Sequence, residues 1–258
     1  MMLLKNRVAI ITGGAKGIGR GIALKFAQEG CDVVVNALHI EGAEKVAGEI
    51  KAMGRKSRAI AADVAKSAQV NDMVARTIKE FGKIDILVNN AGGVSGDSKL
   101  EDTTDEDWAR VIGVNLTGQF LCCRAVVPHM KKNKYGKIIN VSSLGAIHPP
   151  APIVHYHSAK GGVLGLTTDL AFELAAYNIT VNAILPGPIR TEFFTEMLKN
   201  MTEEEGKAFF KMLENKVPMH RMGMPEEIAG VALFLASELS SYVTGEAINA
   251  GGGLPLTP

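Results

Sequence analysis

The chain is short of several things, and each shortage excludes a class of protein. It has three cysteines, Cys31, Cys122 and Cys123, with no CxxC or metal-ligand spacing. Their odd number and the adjacency of two of them argue against a disulfide framework. Charge of one sign is also lacking. The formal net charge of +1 gives no reason to expect a nucleic-acid partner or an anionic membrane surface. No run of about 18 apolar residues is evident, so no membrane span is expected. Residues 1–4 are too brief an apolar stretch for a signal sequence and are followed by Lys5 and Arg7, so a cytoplasmic location is expected. HExxH is absent, and His148, His155 and His157 lack metal-ligand spacing; no metal is expected. The Gly-Lys-Ser/Thr ending of a P-loop is missing too.

What is abundant is apolar residues, 47% of 258, and glycine, with 28. Val8-Ala9-Ile10-Ile11 is a continuous apolar run suited to a buried parallel strand. It leads into Thr12-Gly13-Gly14-Ala15-Lys16-Gly17-Ile18-Gly19 and an amphipathic stretch over 17–29, with a second strand at 32–36. A glycine turn opening onto a helix N-terminus offers bare backbone N–H groups and the positive dipole end to a pyrophosphate. The alternation continues with helices expected at 41–53 and 67–81 and strands at 57–61 and 85–88. A capped helix around Trp108, a long apolar helix over 111–130 and a strand at 137–141 follow. After the helix of Tyr156 and Lys160 come a strand at 180–185, two short helices within 191–222, a helix over 225–237 and a strand at 246–249. No linker or repeat interrupts the pattern.

This alternation predicts an α/β fold: a Rossmann-type doubly wound parallel sheet of about seven strands, helices on both faces, three layers, one domain over 1–258. In such sheets ligands bind outside the carboxyl ends of the strands. Residues 12–19, Asp63, 89–92, Ser142-Ser143 and 186–191 all fall just past expected strand ends, so they converge on one edge. Onto that edge the Tyr156 helix brings a phenol and an ammonium four residues apart, which share one helix face. A fixed cation favours the phenolate and brings a group of pKa near ~10 towards a useful acid–base range.

Taken together, these residues resemble the short-chain dehydrogenase/reductase superfamily over nearly the whole chain. The cofactor turn matches as Thr12-Gly13-x-x-x-Gly17-x-Gly19, the sheet motif as Asn89-Asn90-Ala91-Gly92, and the catalytic set as Asn115, Ser143, Tyr156 and Lys160. The resemblance implies that Tyr156 exchanges a proton with the substrate oxygen and that Ser143 hydrogen-bonds it. Lys160 would lower the tyrosine pKa and hold the nicotinamide ribose, and Asn115 would hold a relay water. It implies cofactor contacts at Gly13, Lys16, Gly17, Ile18, Gly19, Asn36, Asp63, Val64, Asn90, Ala91, Gly92, Tyr156, Lys160, Pro186, Gly187, Ile189 and Thr191. Substrate would meet Val94, Ile147, His148, Ile153, His155 and Phe193 under a lid formed by 191–222. With Asn36 where a ribose-binding acid would stand, and Lys16 in the turn, NADP(H) is favoured and NAD(H) remains the alternative. The pattern is most like the 3-oxoacyl-thioester (acyl-carrier-protein) reductase type, with a homotetramer expected. An NAD-dependent alcohol, polyol or hydroxysteroid dehydrogenase and a non-catalytic dinucleotide-binding regulator stay open as rivals.

Overall fold

The computed structural model of the chain describes residues 2–94, 99–192 and 202–255. Seven parallel strands line up in the order β3-β2-β1-β4-β5-β6-β7. They are β1 (Val8–Ile11), β2 (Asp32–Ala37), β3 (Ser57–Ala61), β4 (Ile86–Asn89), β5 (Gly136–Val141), β6 (Ile179–Pro186) and β7 (Ala247–Ala250). Successive strand residues point to opposite faces, and this alternation divides the core. Ala9, Ile11, Val33, Val35, Val88 and Ile184 pack under α1 (Gly17–Gln28), α2 (Ile40–Ala52) and the helix Pro225–Ala236. Ile10, Val34, Leu87, Ile138 and Val181 pack under α3 (Ser67–Phe81), α5 (Gly118–Asn133) and α6 (Val154–Leu174). Burying one such Ile, Val or Leu contributes roughly 1.5–3 kcal/mol, which explains why a central strand such as β1 reads as an unbroken apolar run.

Element boundaries differ from the sequence expectations by a residue or two, with two larger departures. The helix of Trp108, α4 (Asp105–Ile112), runs without a break through Gly113–Thr117 into α5, and the middle piece is π-helical. Asn115 supplies the cause. Its side-chain Nδ2 donates to Val111 O at 2.9 Å, the i−4 carbonyl that its own backbone N–H would hold in an α-helix. The whole run Asp105–Asn133 is long and apolar enough by composition to cross a membrane, contrary to the sequence expectation. Leu121, Cys122, Val126 and Met130 are buried against the sheet, so that apolarity serves the core.

The second departure lies in 191–222. Among the described residues it holds one helix, α7 (Glu203–Lys216), closed by a Thr202–Glu205 capping box and with no buried side chain. Phe193, Phe194, Met197 and Met201 lie outside the described residues. The helix Pro225–Ala236, here α8, has Pro225 in its first turn, where the missing N–H costs nothing.

A polar network pins the sheet near its functional end. Asn89 Nδ2 donates to Asn140 Oδ1 at 2.9 Å, and Asn140 Nδ2 donates to Thr167 Oγ1 at 3.0 Å, linking β4, β5 and α6 in the interior. Asn140→Ala removes both bonds and strands a buried amide, at a cost of about 1–3 kcal/mol. Thermal unfolding should therefore begin several degrees lower, given about 2–4 °C per kcal/mol for chains near this size; an unchanged Tm would refute the network's role.

Candidate active site

The glycine turn between β1 and α1 is built for close approach. Gly13 and Gly17 adopt φ of +62° and +52°, a region that costs glycine nothing. A Cβ on Gly19 would strike Gly13 O and Asn90 Nδ2. Lys16 stands at the N-cap of α1 without a side-chain cap bond, so the first N–H groups of the helix face outwards. Thr12 braces the turn from beneath. Its Oγ1 accepts from the N–H groups of Asn90 and Ala91, each at 3.0 Å, and donates to Val88 O. Asn90 Nδ2 donates to Thr12 O and Gly13 O. Thr191 packs against Gly17 from the far side. An uncapped helix N-terminus at a side-chain-free turn fits a dinucleotide pyrophosphate.

Across β4 lies the second group. Lys160 is 3% exposed, and its Nζ donates to Val141 O at 2.8 Å. Ser142 Oγ donates to Lys160 O at 2.8 Å, fastening α6 to the end of β5 and identifying Ser142 as a local hydrogen-bonding residue. Ser143 accepts from Gly145 N, and its side chain favours the charged form of the Tyr156 phenol. Asn115 clips Gly93 in both directions, donating to its O at 2.8 Å and accepting from its N at 3.1 Å. A methyl on Gly92 would lie 2.5 Å from Asn115 Oδ1 and 3.3 Å from Lys160 Nζ, so amide and ammonium face one small gap. The structure thus brings Asn115, Ser143, Tyr156 and Lys160 together at the strand ends.

Electrostatics amends one expectation. Burial pushes the Lys160 ammonium down to about 8. Burial also raises the Tyr156 phenol above its ordinary value, and only the Ser143 side chain opposes this. Lys160 Nζ stands 5.6 Å from the centroid of the tyrosine ring but contributes no resolved lowering. In the protein alone, desolvation outweighs the neighbouring cation.

Two expected contacts are not presented to the site. Asn36 is 1% exposed, and its Nδ2 is spent on Ile60 O and Ala62 O of the neighbouring strand. Its backbone O, by contrast, accepts from Gly14 N and anchors the turn. His155 is fully buried, and its Nδ1 accepts from Tyr156 N at 2.8 Å, making it a helix-start ligand and not a pocket wall. Asp63 Oδ1 accepts from Ala65 N, and Val64 is buried over Gly118. Ile18 is half-buried. Pro186 is buried, Gly187 lies against Gly251, and Ile189 is buried with a bridge to Gly223. Val94 and Ile153 are half-buried and Ile147 is exposed. The Nε2 of His148 is buried without a hydrogen-bond partner among the described residues. Phe193 lies outside them. The sequence reading passed over Gln119, whose Nε2 donates at 3.2 Å to the same Val141 O that holds Lys160. A lone glutamine inside the apolar run of α5 was the available signal. No group of three or more potential metal ligands is present among the described residues.

The chain can now be set beside known proteins. Residues 13–255 match the family model described as enoyl-(acyl carrier protein) reductase. The chain is 41% identical to (2S)-[(R)-hydroxy(phenyl)methyl]succinyl-CoA dehydrogenase subunit BbsD of Thauera aromatica, over 99% of both chains. It is 40% identical to the 3-oxoacyl-[acyl-carrier-protein] reductase FabG of Thermotoga maritima, over 98% of this chain and 99% of that one. A short-chain type dehydrogenase/reductase from Mycobacterium marinum superposes with TM-score 0.89 at 38% identity, over 97% of this chain and 96% of its own. Levodione reductase gives 0.92 at 34%, over 97% and 98%. Fold, site and relatives define an oxidoreductase acting on alcohol and carbonyl groups. The chain belongs to the short-chain dehydrogenase/reductase family.

Two outcomes follow from this geometry. Thr12→Val keeps the shape but leaves two N–H groups unpaired under the turn, at about 1–3 kcal/mol; chemical denaturation should show that loss, and equal stability would sink the bracing role. Lys160 binds a proton less readily folded than unfolded, where the ordinary value is 10.5. Between pH about 8 and 10.5 the unfolded chain holds the extra proton, so stability from this group rises with pH. Measured against Lys160→Met, the wild type should gain stability from pH 7.5 to 10; a constant difference would contradict the buried-ammonium assignment.

Proposed function

We propose that the protein is an NADP(H)-dependent ketoreductase acting on 3-oxoacyl thioesters. The observation that carries this reading is the convergence of Tyr156, Ser143, Lys160 and Asn115 on the strand ends beside the glycine turn. The dinucleotide would be held by the turn 13–19, Asn90 to Gly92, Lys160 and residues 186–191, and it supplies the hydride. Ser143 holds the substrate oxygen in a hydrogen bond, and Tyr156 delivers the proton to it. Lys160 would bind the nicotinamide ribose, and its charge opposes the burial that raises the tyrosine pKa. Asn115 holds a water that refills the proton.

Lys16 supports the choice of NADP(H), because it is exposed at the start of α1. No acid follows β2 until Glu41. Arg20 offers no free charge there, since it pairs with Glu49 at 2.6 Å. NAD(H) and a simple alcohol substrate form the second reading, favoured by the absence of an arginine just after β2. The thioester is supported by the names of two relatives that act on a coenzyme A derivative and an acyl-carrier-protein derivative. The apolar pocket residues Val94, Ile147 and Ile153 suit an acyl chain. Residues 191–222 act as the lid, consistent with a described helix that has no fully buried side chain. A cytoplasmic homotetramer completes the reading; exposed Phe120 and Phe172 on α5 and α6 offer its interface.

Initial-rate assays with a short 3-oxoacyl thioester test both parts. Consumption of NADPH is expected, with kcat/KM about tenfold or more above that for NADH, equivalent to roughly 1.4 kcal/mol of discrimination. A tenfold preference for NADH would overturn the cofactor assignment, and absence of turnover on thioesters would overturn the substrate class.

A further inference from the structure

His157 follows the tyrosine directly, and the roles given to Tyr156, Ser143 and Lys160 leave it without one. Of the residues near it on α6, His155 and Ala159 are fully buried and Lys160 is 3% exposed, whereas Ser158 is exposed. His157 is only partly buried. Its ring meets that of Tyr156 edge-on, with centroids 5.7 Å apart and planes at 65°. The ring also lies against Gly145. A Cβ on Gly145 would be 2.8 Å from both Nε2 and Cδ2 of His157 and 3.4 Å from Ser143 Oγ. Glycine at 145 therefore makes room for the imidazole, and the Nε2 edge and the serine hydroxyl both border that residue. Burial first, and then the nearby His155, lowers the His157 pKa from its ordinary value. At neutral pH the ring is uncharged, with one N–H to donate.

From this geometry we infer that His157 is a specificity-determining residue, whose Nε2–H receives a second carbonyl oxygen one methylene away from the one held by Ser143 and Tyr156. The site thereby selects 1,3-dicarbonyl substrates over isolated ketones. This rests on the ketoreductase reading above and narrows it. A neutral donor suits a neutral carbonyl such as a thioester, whose oxygen lies beside the reacting centre in every 3-oxoacyl compound. It offers nothing to a ketone lacking that second oxygen. The imidazole adds no proton to the product, because Tyr156 supplies it; its contribution is binding and orientation of the second carbonyl.

The test compares a 3-oxoacyl thioester with a monoketone of similar size, using kcat/KM with the preferred cofactor. In His157→Ala the ratio of the two values should fall about tenfold, the worth of one good hydrogen bond. His157→Gln, which restores a donor, should recover most of it. Cofactor dissociation constants and unfolding temperatures establish that both variants are folded. A ratio unchanged in His157→Ala, or equal losses on both substrates in both variants, overturns the inference. A wild type that reduces the monoketone but not the thioester refutes the proposed substrate class itself, which separates the two failures.

Discussion

The site depends on one buried ammonium. Lys160 brings a charge almost out of contact with water and rests it on a single backbone carbonyl, that of Val141. Burying an unpaired charge is costly, so the surroundings must hold this arrangement in place. Ser142 fastens the backbone of Lys160, Gln119 shares its carbonyl, and the Asn89–Asn140–Thr167 network ties together the two strands and the helix that carry them. Fixing Lys160 fixes the helix face it shares with Tyr156. Depressed proton affinity in such a group is the kind of perturbation that marks functional sites.

Opposite this charge stands the glycine turn, which offers the other half of the chemistry without side chains. Its shape is secured by Thr12 and Asn90, which bind it to the end of β4. The same strand end leads through Gly92 and Gly93 to Asn115. A single loop after β4 therefore touches the turn on one side and the amide and ammonium on the other. This is the physical sense in which a strand-order reversal makes a ligand crevice.

Much of this was legible in the chain itself. Apolar runs such as 8–11 and 86–88, followed by glycine-rich or polar turns, located the central strands, because a parallel sheet buries both faces of its strands. Loops past the strand ends located the site. What was hidden depended on where side chains turn. Asn36 stands at the right position for a ribose contact, yet its amide crosses to β3 because the carbonyls of Ile60 and Ala62 need a donor there. His155 turns back on Tyr156 N because the N-cap Ile153 cannot cap the helix. The π-helical segment at Asn115 arises from one side chain outcompeting its own backbone. The upward shift of Tyr156 depends on how deeply the helix is packed. None of these follows from spacing alone.

In the proposed mechanism Tyr156 gives the proton. The most direct measurement is the reduction rate of Tyr156→Phe with NADPH and a 3-oxoacyl thioester, alongside the NADPH dissociation constant. A general acid contributes about 100-fold or more, so kcat should fall at least that far while cofactor affinity stays near that of the wild type. Turnover within a few-fold of the wild type would contradict that role for Tyr156.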